Sequence, residues 1–174
     1  MRKILYMLGQ LSDEDVDWLA RSGRRLDCAA GDVLIRQNEP IRDLFILLTG
    51  HAAVFVHDER EIAHLGSGEV VGEMSLIDQR PPSATVRMTA PSSLLAVDRQ
   101  QLQNKLATDS GFAARFYRAL ALFLSDRMRT TVARFGYGKP VVDDEEELPE
   151  AVIENIHLAG VRFEAIMRRL MAAT

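Results

Sequence analysis

Between Arg25 and Asp98 the chain is a succession of short β-type runs broken by turn residues at close spacing, and this constrains the fold more than any other feature. The runs are Val33–Arg36, Leu44–Thr49, Ala52–His57, Glu61–Leu65, Val70–Val71, Ala84–Met88 and Leu94–Val97. The breaks fall at Gly31-Asp32, Asn38-Glu39-Pro40, Gly50, Asp58–Arg60, Gly66-Ser67-Gly68 and Pro91-Ser92. Many short strands with regular turn signals predict a sandwich or barrel and argue against a βαβ fold. In Ala84-Thr85-Val86-Arg87-Met88 the strand alternation is explicit, with Ala, Val and Met on one face and Thr and Arg on the other.

Helical patterns flank this region. Ser12 is a suitable N-cap for a short helix over 12–22, with acidic residues in its first turn and Val16, Leu19 and Ala20 as its stripe. After Asp98 the period predicts a short helix over 99–107 and a long one from Gly111 to about Phe135. Phe116, Leu120, Leu124, Met128 and Val132 recur there every fourth residue, with Phe123 beside them. Gly136, Gly138 and Pro140 end it. The acidic run Asp143–Glu147 predicts a solvated linker. A last helix is expected from Pro149 to about Met171. Its Val152, Ile156, Ala159, Phe163, Ile166 and Leu170 follow heptad spacing, predicting a homodimer in which this helix and the long one take part. The expected domains are therefore 10–135, which includes the long helix, an acidic linker over 136–148, and a C-terminal helix over 149–172.

Composition excludes several classes. A net charge of −4 offers no general attraction to nucleic acid or anionic membranes. One cysteine, Cys28, leaves no internal disulfide and fits a reducing compartment as a small buried apolar residue. The longest apolar run, Ala119–Leu124, is far short of a membrane span. The basic start, Met1-Arg2-Lys3, soon meets Gln10 and the acidic Asp13–Asp17, unlike a secretory signal, so a cytoplasmic protein is expected.

The most informative stretch runs from Gly68 to Val86: Gly68-Glu69-Val70-Val71-Gly72-Glu73-Met74-Ser75-Leu76-Ile77-Asp78-Gln79-Arg80-Pro81-Pro82-Ser83-Ala84-Thr85-Val86. It resembles the phosphate-binding cassette of cyclic nucleotide-binding domains of the catabolite-activator and protein-kinase-A-regulatory type. Gly31–Pro40 and Leu44–Gly50 resemble that family's leading strands and glycine turn, and the likeness covers about residues 10–135. It implies an α+β fold: an antiparallel β-roll (double-stranded jelly roll) with flanking helices and a long C-terminal helix. It implies cAMP or cGMP as ligand, with no cofactor, no metal and no catalytic residue.

Residue chemistry agrees with such a site. A cyclic phosphodiester carries one negative charge and needs donors in a dry cradle. Free amides at the start of the Glu73–Asp78 helix suit an anion, and Gly72 lets the backbone approach closely. The expected junction residues are Val71, Gly72, Glu73, Met74 and Ser75, with Glu73 accepting from a ribose 2′-hydroxyl as the resemblance implies. Ser83 and the amides of Ala84 and Thr85 add donors on the far side. The chain departs from the family where an arginine should precede Ser-Ala-Thr, since Pro82 stands there. Arg80 lies two residues earlier, roughly 6 Å away along an extended Pro-Pro segment, and is expected to reach the phosphate instead. Arg127, Thr130 and Thr131 on the long helix resemble residues that cap the base.

Other patterns carry less. Gly66–Gly72 has one residue too many for a dinucleotide loop and no βαβ unit around it. His51, His57 and His64 raise a cupin-like metal enzyme, which needs clustered histidines and a carboxylate converging inside the roll, but His57 and His64 flank a hairpin tip, where solvated or packed imidazoles are expected. The 39 residues after Phe135 are expected to hold one helix, too little for a helix-turn-helix, so no nucleic-acid partner is expected. The expectation is a regulatory sensor, not an enzyme, signalling through its C-terminal helices to a downstream protein. A ligand-free interaction scaffold of the same fold is the alternative.

Overall fold

A computed structural model describes residues 7–57, 60–134 and 150–172. Residues 7–10 are helical, and helix α1 follows at Asp13–Ser22. Eight strands come next: β1 (Gly23–Cys28), β2 (Val33–Ile35), β3 (Asp43–Thr49), β4 (Ala52–Val56), β5 (Arg60–Leu65), β6 (Val70–Val71), β7 (Thr85–Met88) and β8 (Ser92–Asp98). Helix α2 (Glu73–Asp78) interrupts them between β6 and β7. Helices α3 (Arg99–Thr108), α4 (Ser110–Arg134) and α5 (Glu150–Ala172) complete the order.

The strands form two antiparallel four-stranded sheets, ordered β1-β8-β3-β6 and β2-β7-β4-β5, facing each other as the expected roll. Strand β3 explains why both sides of the first sheet are covered. Its Leu44, Ile46 and Leu48 pack against the helices, whereas Phe45 and Leu47 point into the roll. A period of two in a wholly apolar run serves both faces at once.

Helix α1 begins as expected. The Ser12 hydroxyl accepts from the Asp15 amide, and the Asp15 carboxylate accepts from the Ser12 amide at 2.8 Å. Strand β1 was not expected, because Arg24, Arg25 and Asp27 leave it little apolar signal. It is an edge strand paired residue by residue to β8, and Arg24 holds Asp43 through two contacts of 2.9 and 2.8 Å.

The every-fourth-residue stripe on α4 does not lie on one face. Phe116, Leu120 and Phe123 are buried and Leu124 is half-buried, but Met128 and Val132 are exposed. At 3.6 residues per turn each step of four advances about 40°, so the row winds out of the core within a few turns. Helix α5 packs on its own chain. Ala159 and Ile166 are buried and Phe163 half-buried against the N-terminal helices, while buried Arg162 donates to Asp13 at 2.7 Å and to the Leu8 carbonyl at 2.9 Å. The remaining seam side chains (Val152, Ile156 and Leu170) and the expected linker 136–148 lie outside the described residues.

Candidate functional site

The site is built where β6 turns into α2. Gly72 has φ +90° and caps α2 in the left-handed conformation. A Cβ there would lie 2.8 Å from Ile41 Cδ1 and 3.2 Å from the Asp43 carbonyl, so only glycine fits both the torsion and the space. Beyond it, Glu73 and Ser75 are buried and Met74 is exposed. Arg99, from the start of α3, fixes this segment from behind by donating to the Ile41 and Ser75 carbonyls, each at 2.9 Å.

Glu73 is met from the opposite side by α4. The Arg127 guanidinium donates through Nη1 to Glu73 Oε1 at 2.7 Å, and through Nη2 to Glu69 Oε2 and the Val70 carbonyl, each at 2.9 Å. It also stacks over Phe123, 4.5 Å from the ring centroid. Burial pushes the Glu73 carboxyl above the usual glutamate range, opposed by the Arg127 charge and reinforced by neighbouring Glu69. Two buried carboxylates thus share one guanidinium at the junction of roll and helix.

In front of this triad lies a cavity of about 500 Å³, within the range that holds small ligands. Ile35, Val54, Leu65 and Val86 make its apolar wall, and the edge strand β5 makes its rim. Of the expected site residues, Val71, Gly72, Glu73, Met74, Ser75, Pro82, Ser83, Ala84, Arg127, Thr130 and Thr131 all line it. Elements as distant as β6, the loop before β7 and the last turns of α4 are therefore brought together.

Two expected residues do not line the cavity. Arg80 is exposed, its amide donating to Asp78 Oδ1 at 3.0 Å just past the end of α2. The loop places its side chain outside, while Pro82, whose carbonyl accepts from Asn38 at 2.9 Å, faces in. The Thr85 hydroxyl accepts from the Gln37 amide at 3.0 Å and so ties the end of β2 to β7.

Sequence reasoning missed Glu69 and the β5 rim. Glu69 carried one signal: a lone carboxylate four residues before Glu73, with only Val70-Val71-Gly72 between them. Nothing local marked β5 as a wall, because that role depends on its pairing with β4. On the rim, His64 Nε2 lies 2.8 Å from Glu61 Oε1, and among the described residues no three His, Cys, Asp or Glu side chains converge as a metal site.

Comparison with known proteins agrees with this geometry. Residues 25–109 match the family model described as cyclic nucleotide-binding domain. That segment carries the roll, Gly72, Glu73 and the Pro82–Thr85 loop in order. Residues 25–109 are a cyclic nucleotide-binding domain. A Pycsar effector protein, PaPycTIR, from Pseudomonas aeruginosa is 41% identical over 80 residues, spanning 45% of this chain and 26% of the effector. A cyclic nucleotide-gated potassium channel from Mesorhizobium japonicum is 34% identical over 104 residues, or 60% of this chain and 28% of the channel. The chain thus spans about a quarter of the length of these relatives. Among solved structures, a cyclic nucleotide-binding domain from Methylobacillus flagellatus superposes with a TM-score of 0.69 at 24% identity, covering 84% of this chain and 85% of that one. The likeness extends past the matched segment into the flanking helices. No helix among the described residues is long and apolar enough to cross a membrane.

Proposed function

We propose that the cavity binds a cyclic nucleotide, cAMP or cGMP, and that α4 reports its occupancy to the C-terminal helices and a downstream protein. The observation that carries this is Arg127, which reaches from α4 to hold Glu73 at the mouth of the glycine-capped helix. A ribose 2′-hydroxyl donating to Glu73 competes with that contact. The ligand thereby acts on the helix without touching anything beyond it. The phosphate lies against the Gly72–Ser75 backbone and Ser83, and Thr130 and Thr131 face the base. The domain is read as a binding module with no catalytic step. The rival, a ligand-free scaffold, draws on Pro82 and on Arg80 lying outside the cavity.

A calorimetric titration separates the two. Wild-type protein should bind cAMP or cGMP, and Glu73→Ala should weaken binding by about tenfold or more, the worth of a hydrogen bond to a charged group. Arg80→Ala should leave binding unchanged. Equal affinity in wild type and Glu73→Ala contradicts the site, and no binding by wild type favours the scaffold.

A further inference from the structure

Arg99 is half-buried at the start of α3, yet no carboxylate meets it among the described residues. Carbonyls alone hold its guanidinium, Nη1 donating to Ile41 and Nη2 to Ser75, each at 2.9 Å. Its amide donates to the Arg42 carbonyl at 2.9 Å. Nε is buried without a hydrogen-bond partner among the described residues. An unmade bond on a buried donor is costly, and two neutral carbonyls do not cancel the charge. A full positive charge therefore stands against the back of α2.

The cavity itself is short of positive charge. Glu69 and Glu73 share Arg127, which leaves one negative charge in excess when both carboxylates are ionised. Pro82 stands at the front where the likeness expects an arginine, and Arg80 is exposed outside. Arg60 and His64 line the rim but are exposed, where solvent and salt screen them, and His64 already meets Glu61 at 2.8 Å. Arg99 is shielded by α2 and the Ile41–Arg42 segment, so its field is screened far less. We infer that Arg99 is a positioning residue for the phosphate, supplying from behind α2 the positive charge that is missing in front at Pro82. This rests on the cyclic-nucleotide reading above. One residue of backbone separates the Ser75 carbonyl from the Ser75 amide, so the guanidinium stands within about 7 Å of that amide. The second carbonyl it holds belongs to Ile41, whose side chain lies under Gly72 at the 2.8 Å approach described above. Arg99 thus fixes the height of α2 over its floor and charges that floor, without touching the ligand.

Titration of the full chain and of Arg99→Met and Arg99→Lys with cAMP and with cGMP tests this. Arg99→Met keeps the bulk without the charge and should weaken both ligands by about tenfold. Arg99→Lys keeps the charge without the fork that spans both carbonyls, and should bind within about threefold of wild type. A clamp acting by geometry alone would lose affinity in both variants. If Arg99→Met does not fold, Arg99→Gln, which keeps a donor without the charge, is titrated in its place with the same expectation. Arg99→Lys as weak as the neutral variant, or a neutral variant as tight as wild type, overturns the assignment of Arg99 and leaves the cyclic-nucleotide reading standing. Failure of wild type to bind either ligand overturns both.

Discussion

Gly72 concentrates the backbone demands of the site in one position. Its φ of +90° costs a side-chain-bearing residue roughly 1–3 kcal/mol, and the 2.8 Å approach to Ile41 adds a steric term. Gly72→Ala is expected to lower unfolding stability by at least about 1–3 kcal/mol in urea. An unchanged midpoint contradicts the left-handed cap. Gly72 and Glu73 were legible in the sequence through the resemblance of the whole Gly68–Val86 stretch to a phosphate-binding cassette, since a glycine-acid pair alone marks no more than a strand end before a helix. Arg80 shows where legibility stops. Its distance along the chain was adequate, but Gln79 adopts φ +59° and the Arg80 amide turns back to Asp78, which sends the side chain away from the cavity. Such a reversal depends on a single residue's torsion and leaves no mark on composition or period.

At the scale of elements, helices α1, α4 and α5 are tied together by ion pairs that sequence alone does not join. Asp15, already committed to the α1 capping box, is buried and accepts from Arg115 of α4 at 2.6 and 2.9 Å, across 100 residues of chain. Burial by itself raises the Asp15 carboxyl, but Arg115 and the Ser12 amide and hydroxyl outweigh it and hold the pKa below the usual value near 3.8. A depressed carboxylate stabilises the fold fully above its unfolded pKa, and that stabilisation is lost as pH falls through the lower folded value. Asp15→Asn should therefore be less stable than wild type at neutral pH, with the difference shrinking as pH falls below about 4 in urea titrations. A constant difference at all pH values contradicts the pairing. Strong periodic patterns made the helices and most strands legible, whereas the burial of β3 on both faces emerges from the packing of the two sheets and the helices. Strand β1 stayed hidden because an edge strand with polar side chains is defined by its partner.

At the scale of the whole molecule, helix α4 belongs to both core and site. Its Phe112, Phe116 and Phe123 are fully buried, and one turn past Phe123 the same helix delivers Arg127 to Glu73. Helix α5, in turn, is docked on α1 through Ala159, Ile166 and Arg162. That uses Ala159, Phe163 and Ile166 of its seam within one chain, and we propose that a dimer would pair instead through the outer face of α4, where Tyr117, Leu122, Met128 and Val132 are exposed. Light scattering at tens of micromolar should give a dimer mass for the full chain and a monomer mass for Met128→Glu with Val132→Glu. A monomeric wild type contradicts pairing through this face. The central claim, that the cavity is made for a cyclic phosphodiester, is tested most directly by titrating wild-type protein with cyclic and linear nucleotides of the same base. In the proposed complex the start of α2 and Ser83 face one negative charge, beside two buried carboxylates that disfavour a second. Saturable one-to-one binding of cGMP or cAMP, with GMP and AMP weaker by about tenfold or more, is the predicted result. Binding of linear and cyclic forms with equal affinity, or of neither, would contradict it.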